Sequence, residues 1–337
     1  MQSSGNVMVF VEQRDGRIAD VSLELLSKAS ELSARMGGEV EAVALGHGLQ
    51  DSLPSLGDYG CRRVYYADDA RLAHFTSVPY AKTLSRVVEK RRPGILLFGA
   101  TTTGRDLAPR VASTLRCGLT ADCTDLQIGD YKFKKTQYEN VLLQIRPAWG
   151  GNIVATIVSP ESSPSMATVR EGVMRKAPVQ SPVQAEVILE DSGLADGDAP
   201  TEVLEVRRGE SAVDLKAARI IVAAGMGAAD PETLQLVREL AGVLGGVVGA
   251  SRPLVDSGLM QREHQIGQTG TTVRPNLYIA CGISGQIQHQ AGMAEAKRIV
   301  AVNSDPEAPI FDLAHYGIVG DLKEVLPRMI KAYREKA

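Results

Sequence analysis

The chain has 337 residues, 44% of them hydrophobic and 23% charged, with a formal net charge of −3. That length holds two ordinary domains, each with its own core, and the composition is globular. The charge gives no electrostatic case for nucleic acid, no apolar run reaches the roughly 20 residues of a membrane helix, and aromatics at 4% offer no platform for stacking bases. The opening MQSSGNVMVFVEQ has neither a signal-peptide nor an Arg-rich transit pattern, so the chain as given reads as cytoplasmic. Cys61, Cys117, Cys123 and Cys281 form no CxxC and match no metal spacing, so reduced thiols are expected.

The first half alternates strand and helix patterns. VMVFVEQ (7–13), EVEAVAL (39–45), RRVYYA (62–67) and GILLFGA (94–100) read as strands. Amphipathic helices are expected at 22–36, 77–90 and 105–115. This is the rhythm of a parallel sheet covered on both faces. From 123 to 170 alternation of period two suggests antiparallel strands added to that sheet. Residues 177–218, rich in Pro, Gly, Asp and Glu, mark the domain boundary, with EVLEVRR (202–208) as one strand crossing it. Domains are drawn at 1–206 and 207–337.

The βα rhythm then resumes. RIIVAAG (219–225) is a buried strand, and Asp230-Pro231-Glu232 opens a helix running to about Leu244. VVGASRP (247–253), NLYIACG (276–282), RIVAVNSD (298–305) and GIVGDL (317–322) read as further strands. A helix is expected over 287–297 with Ser284 near its N-cap. Strand ends carry groups suited to a polar ligand: Ser284 and His289, then Asn303 and Asp305, then Asp321. In an open parallel sheet, ligands bind outside the carboxyl ends of the strands, where the strand order reverses.

Each candidate has a plainer reading. Gly225-Met226-Gly227 lacks the full GxGxxG spacing, and tight βα turns use glycine anyway. Arg252 could stabilise an anionic ligand or pair with Asp256. Gly267 to Thr272 could wrap a ligand or form a surface loop. Ser284-Gly285-Gln286-Ile287-Gln288-His289 is the strongest signal, because a strand-to-helix turn aims free N–H groups beyond the sheet edge. The plainer alternative for His289 is a satisfied helix-surface residue. GATTTGRDLAPRVAS (99–113) looks like a nucleotide-domain turn but reads better as a capped helix at an interface. No GxSxG, P-loop or metal-spaced histidine pair occurs.

LYIACGISGQIQHQAGM (277–293) closely resembles the signature of electron transfer flavoprotein alpha subunits. SRPLVDSGL (251–259), IGQTGTTVRPNLYIA (266–280), NSDPEAPIFDLAHYGIVGDL (303–322) and GATTTGRDLAPRVASTL (99–115) resemble that family too. The resemblance implies an α/β protein: an N-terminal parallel-sheet domain like adenine-nucleotide hydrolases, and a C-terminal doubly wound FAD-binding domain like the NAD/FAD-binding fold of deoxyhypusine synthase. It implies FAD and an obligate beta subunit that meets the first domain.

Carried over by motif, Thr269 would hydrogen-bond near flavin N5, His289 would sit by the C2 carbonyl, and Arg252 would lie over the ring. Ser251, Ile266, Gly267 and Gln268 would contact flavin or ribityl. Ser284, Gly285, Gln286, Ile287 and Gln288 would run along the cofactor and its diphosphate. Asn303, Asp321 and Leu322 would hold the adenosine end. Family members commonly place Arg where this chain has Met226, so that position is left out of the site.

The resemblance implies an electron carrier between dehydrogenases, such as acyl-CoA dehydrogenases, and an acceptor such as a quinone oxidoreductase, as in fatty acid β-oxidation. It leaves open an electron-bifurcating NADH-dependent role, with a second FAD in the beta subunit in place of AMP. The rival classes are a stand-alone NAD-dependent enzyme, for which His289 is the only good base, and a nucleotide-sensing module. No nucleic acid and no membrane insertion are expected.

Overall fold

The structure, a computed structural model, describes residues 5–14, 16–148, 154–206, 213–216 and 218–335. The chain divides into two compact units, 1–206 and 207–337.

In the first unit seven strands form one all-parallel sheet, ordered Glu186–Leu189, Cys61–Asp68, Val40–Gly46, Val7–Val11, Ile95–Gly99, Ser165–Val169, Leu119–Cys123. The central strands are apolar on both faces because helices cover both, and Val7–Val11 is buried at every position. Helices Asp20–Met36, Ser77–Arg91 and Thr102–Leu115 supply those covers.

Three expectations are corrected. The period-two strands Asp125–Phe133, Thr136–Pro147 and Val154–Ile157 make a separate antiparallel sheet rather than extending the parallel one. Ser165–Val169, within the same stretch, is a parallel strand of the main sheet. Residues 202–206 form no strand, and 207–208 of that expected crossing lie outside the described residues. Within the Pro-rich boundary, Glu186–Leu189 instead pairs with Cys61–Asp68 at the sheet edge.

The second unit is a five-stranded parallel sheet, ordered Val247–Ala250, Ile220–Ala224, Leu277–Cys281, Ile299–Asn303, Tyr316–Val319. In sequence order that is 2-1-3-4-5, a doubly wound arrangement whose order reverses between the first and third strands. Two apolar cores lie on its opposite faces. One is closed by helices Pro231–Val243 and Leu322–Arg334. Asp230 caps the former, its carboxylate accepting from Thr233 N at 3.1 Å, with Pro231 opening the helix.

The expected helix over 287–297 is a single turn, Ile287–Gln290, and its N-cap is Gln286, not Ser284. The chain turns at Gly292 because it lies against the 267 loop, where a Cβ would come within 2.4 Å of Gly267 N. Apolar periodicity cannot register such a tertiary contact.

Candidate functional site

Four strand ends converge on one cleft of about 740 Å³, a size typical of small-molecule and cofactor sites. It is lined by Met226 and Gly227 after the first strand of this unit, and by Ser251, Arg252 and Pro253 after the second. The 266–269 loop follows, then Gly282, Ile283, Ser284, Gln286, Gln288 and His289 after the third strand, and Asn303, Asp305, Ala308 and Pro309 after the fourth. The cleft therefore lies at the carboxyl ends of the strands on either side of the reversal.

Backbone packing shapes the floor. Gly225 N donates to Cys281 O at 2.8 Å and Gly227 N to Gly282 O at 3.0 Å. A Cβ on Gly225 would stand 2.2 Å from Gly282 O, so this turn needs glycine for its own close approach. On the third strand's side, the backbone N–H groups of the lining residues Ser284, Gln286 and Gln288 make no hydrogen bond to another described residue. They form a set of free donors suited to an anion such as a diphosphate.

His289 is buried, at 7% exposure, rather than a helix-surface residue. Its Nε2 lies 2.9 Å from the Tyr278 hydroxyl, while Nδ1 is buried with no hydrogen-bond partner. Burial pulls its pKa down to about 4, so the ring is neutral at pH 7. The Ile266 backbone opposes that shift, but neither ring nitrogen makes an aligned hydrogen bond to it. An orphaned buried polar atom in a cleft wall marks a place for a ligand group.

Thr269 is set in a similar way. The buried Gln265 donates from Nε2 to Thr269 Oγ1 at 3.0 Å. The hydroxyl oxygen is thus occupied as an acceptor, and its proton remains available to donate. Arg252, by contrast, opens the short helix Arg252–Asp256 and pairs with Asp256 at 3.2 Å. Its side chain is 63% exposed, so its head is largely solvated. The Asp256 pairing is the plainer of its two sequence readings, although the residue does line the cleft.

Of the sequence candidates, Ser251, Arg252, Ile266, Gly267, Gln268, Thr269, Ser284, Gln286, Gln288, His289 and Asn303 line the cleft. Gly285, Ile287, Asp321 and Leu322 do not. Gly285 holds the turn: it has φ +86°, and its carbonyl accepts from Gln290 Nε2 at 2.7 Å. Asp321 caps the last helix, accepting from Lys323 N at 2.8 Å, and Leu322 is buried in the core beneath it. Asn303 spends its amide on protein partners, donating to Ile283 O of the loop after the third strand and accepting from Asp305 N in its own loop, both at 3.0 Å.

Met226 and Gly227, left out for the missing GxGxxG spacing and the absent Arg, line the cleft after all, and Pro253, Gly282, Ile283, Ala308 and Pro309 were passed over because sequence reasoning favoured polar side chains. Their shared signal is position just after a strand. In the first unit, the 99–113 turn is engaged by its own side chains. Thr101 caps the helix, accepting from Gly104 N at 2.9 Å, and donates to the buried Glu12 carboxylate at 2.5 Å. Among the described residues there is no cluster able to hold a metal ion and no helix long and apolar enough to cross a membrane.

A doubly wound sheet with free N–H donors and a cluster of polar side chains at its reversal point defines a nucleotide-cofactor-binding α/β protein. The family follows from comparison. Residues 7–192 match the electron transfer flavoprotein domain, and residues 214–294 match the electron transfer flavoprotein FAD-binding domain. The chain is 45% identical over 336 residues to the electron transfer flavoprotein subunit alpha of Thermoanaerobacterium thermosaccharolyticum, covering 99% of both chains. It is 42% identical to the acryloyl-CoA reductase electron transfer subunit beta of Anaerotignum propionicum, covering 99% of this chain and 97% of that one. It is also 41% identical to subunit LctC of the lactate dehydrogenase (NAD(+),ferredoxin) of Acetobacterium woodii, covering 96% of this chain and 76% of that one. The chain belongs to the electron transfer flavoprotein family, and its cofactor is FAD. The cleft fits that group, offering backbone N–H groups without partners, a Thr269 hydroxyl whose oxygen is already taken, and a buried His289 nitrogen without a partner.

Proposed function

We propose that this chain is the alpha subunit of a heterodimeric electron transfer flavoprotein. In this reading residues 207–337 hold FAD, and the first unit meets a beta subunit. The FAD accepts electrons from a dehydrogenase, of the acyl-CoA type or another, and yields them to an acceptor such as a quinone oxidoreductase. When bound, FAD supplies the redox chemistry, and the chain's residues set its environment.

Thr269 presents a hydroxyl proton to the ring, its oxygen already taken by Gln265. His289 presents a buried nitrogen from the neighbouring loop, which is joined to the Thr269 loop by Gln268 N donating to Gln288 O at 2.7 Å. Ser284, Gln286 and Gln288 offer backbone N–H groups to the diphosphate. Donors fixed around the ring favour negative charge arriving there, which raises its potential. No general base is needed. The neutral, Tyr278-bound His289 is poorly placed to be one, which counts against a stand-alone NAD-dependent enzyme. The observation that carries the reading is the pairing of an orphaned His289 Nδ1 with a pre-set Thr269 in one cleft.

Likeness to the LctC subunit favours one second reading, an electron-bifurcating NADH-dependent complex with another FAD in the beta subunit. Co-expression with the beta subunit in the cytoplasm, extraction of flavin and a redox titration test the proposal. One FAD per heterodimer supports the simple carrier and two the bifurcating complex. A flavin-free chain that reduces NAD alone would overturn both.

A further inference from the structure

We infer that Tyr278 is a positioning residue that sets the tautomer of His289, holding its ring proton on Nδ1 within the wall of the cleft. The inference rests on the reading of the cleft as the flavin site.

Tyr278 sits on the strand Leu277–Cys281, between Ile221 and Ile299 on the neighbouring strands, and is fully buried. Its hydroxyl makes one hydrogen bond among the described residues, to His289 Nε2 at 2.9 Å. Burial keeps the phenol protonated. A neutral phenol and a neutral imidazole carry one mobile proton each, so the pair has two arrangements.

In the first, Nε2 carries the ring proton and donates to the phenol oxygen. The phenol proton then has no acceptor in a fully buried site, and Nδ1 is left as a bare lone pair. In the second, the phenol donates to a bare Nε2, and the ring proton sits on Nδ1. Only the second satisfies the phenol, since a buried donor without an acceptor is costly. It leaves a single group without an aligned partner, a buried Nδ1–H beside the Ile266 backbone, on a residue that lines the cleft.

The two arrangements have opposite consequences for a reduced ring. An Nδ1–H donor stabilises negative charge arriving nearby, whereas a bare Nδ1 lone pair would repel it. In water histidine prefers the Nε2–H form, so Tyr278 is what reverses the preference here. The hydroxyl is expected to tune the flavin potential through His289 without touching the cofactor.

The test uses ¹⁵N-histidine-labelled, FAD-loaded protein and long-range ¹H–¹⁵N correlation, with His289 assigned by its absence in His289→Gln. In the wild type the Nδ1–H form should exceed the Nε2–H form by about tenfold or more, the ratio one buried hydrogen bond commands. Tyr278→Phe keeps the ring and its packing. It should reverse that ratio and shift the flavin potential in the direction of His289→Gln, with FAD content unchanged. A wild-type His289 protonated on Nε2, or a ratio that Tyr278→Phe leaves intact, overturns the inference. Should Tyr278→Phe fail to fold, the wild-type spectrum decides alone. Should the purified protein carry no FAD, the flavin reading falls, and the tautomer in the flavin-free chain still decides the role of Tyr278.

Discussion

Acid should destabilise this protein through His289 in a way that one substitution isolates. Burial lowers the imidazole from 6.5 to about 4 in the folded chain. The unfolded chain therefore takes up its proton first as pH falls, and between those two values it holds more protons than the folded chain. The stabilising term is complete above about pH 6.5 and is lost as pH falls toward 4. At about 1.4 kcal/mol per unit its full size is about 3 kcal/mol, of which about 2 kcal/mol is gone by pH 5. Urea denaturation of flavin-free wild type and His289→Gln at pH 7 and pH 5 measures it. The other histidines are common to both proteins and cancel. The variant's lost Tyr278 contact is a constant offset, so the stability gap between the two should narrow by about 2 kcal/mol at pH 5. A gap that stays constant between the two pH values would refute the claim that the ring is held neutral by burial.

The remaining predictions concern the cleft. Thr269→Val keeps the shape and removes the donor, so FAD content should hold while the potential, followed by redox titration, falls by about 60–130 mV, the one-electron equivalent of about 1.5–3 kcal/mol. Gln265→Leu should produce part of that fall by freeing the Thr269 hydroxyl to turn away; an unchanged potential would place Gln265 outside the device. Arg252→Ala should lower the potential by no more than about 40 mV, because the guanidinium is exposed and already paired with Asp256, and added salt should shrink the difference. Gly285→Ala should cost FAD content and thermal stability together, since φ is +86° there and a Cβ would stand 2.3 Å from Ile310 N. A variant with full flavin content and wild-type melting would contradict that role for the turn.

The sequence marks the parallel strands well because burial on both faces makes them uninterrupted apolar runs, as in Ile220–Ala224 and Leu277–Cys281. Helices with periodic faces and capping residues are equally legible, Pro231–Val243 with its Asp230 cap among them. Alternation in 125–147 signals strands but carries no information about which sheet they join. Glu186–Leu189 is hidden by its Pro-rich surroundings and by the four-residue length of an edge strand. In the site, position after a strand identified the loops, and polarity then selected too narrowly. The Tyr278–His289 and Gln265–Thr269 pairs are the least legible features. Each depends on the angle at which a strand or bridge meets a loop, a tertiary fact that residue spacing does not encode.

The most direct test of the account is hydrogen–deuterium exchange on the purified complex, with its FAD in place and after the flavin is stripped. Protection gained from FAD should concentrate at 226–227, 251–253, 266–269, 282–289 and 303–309, the segments that line the cleft. Protection confined to the first unit, or no difference between the two forms, would contradict the assignment of the flavin to this site.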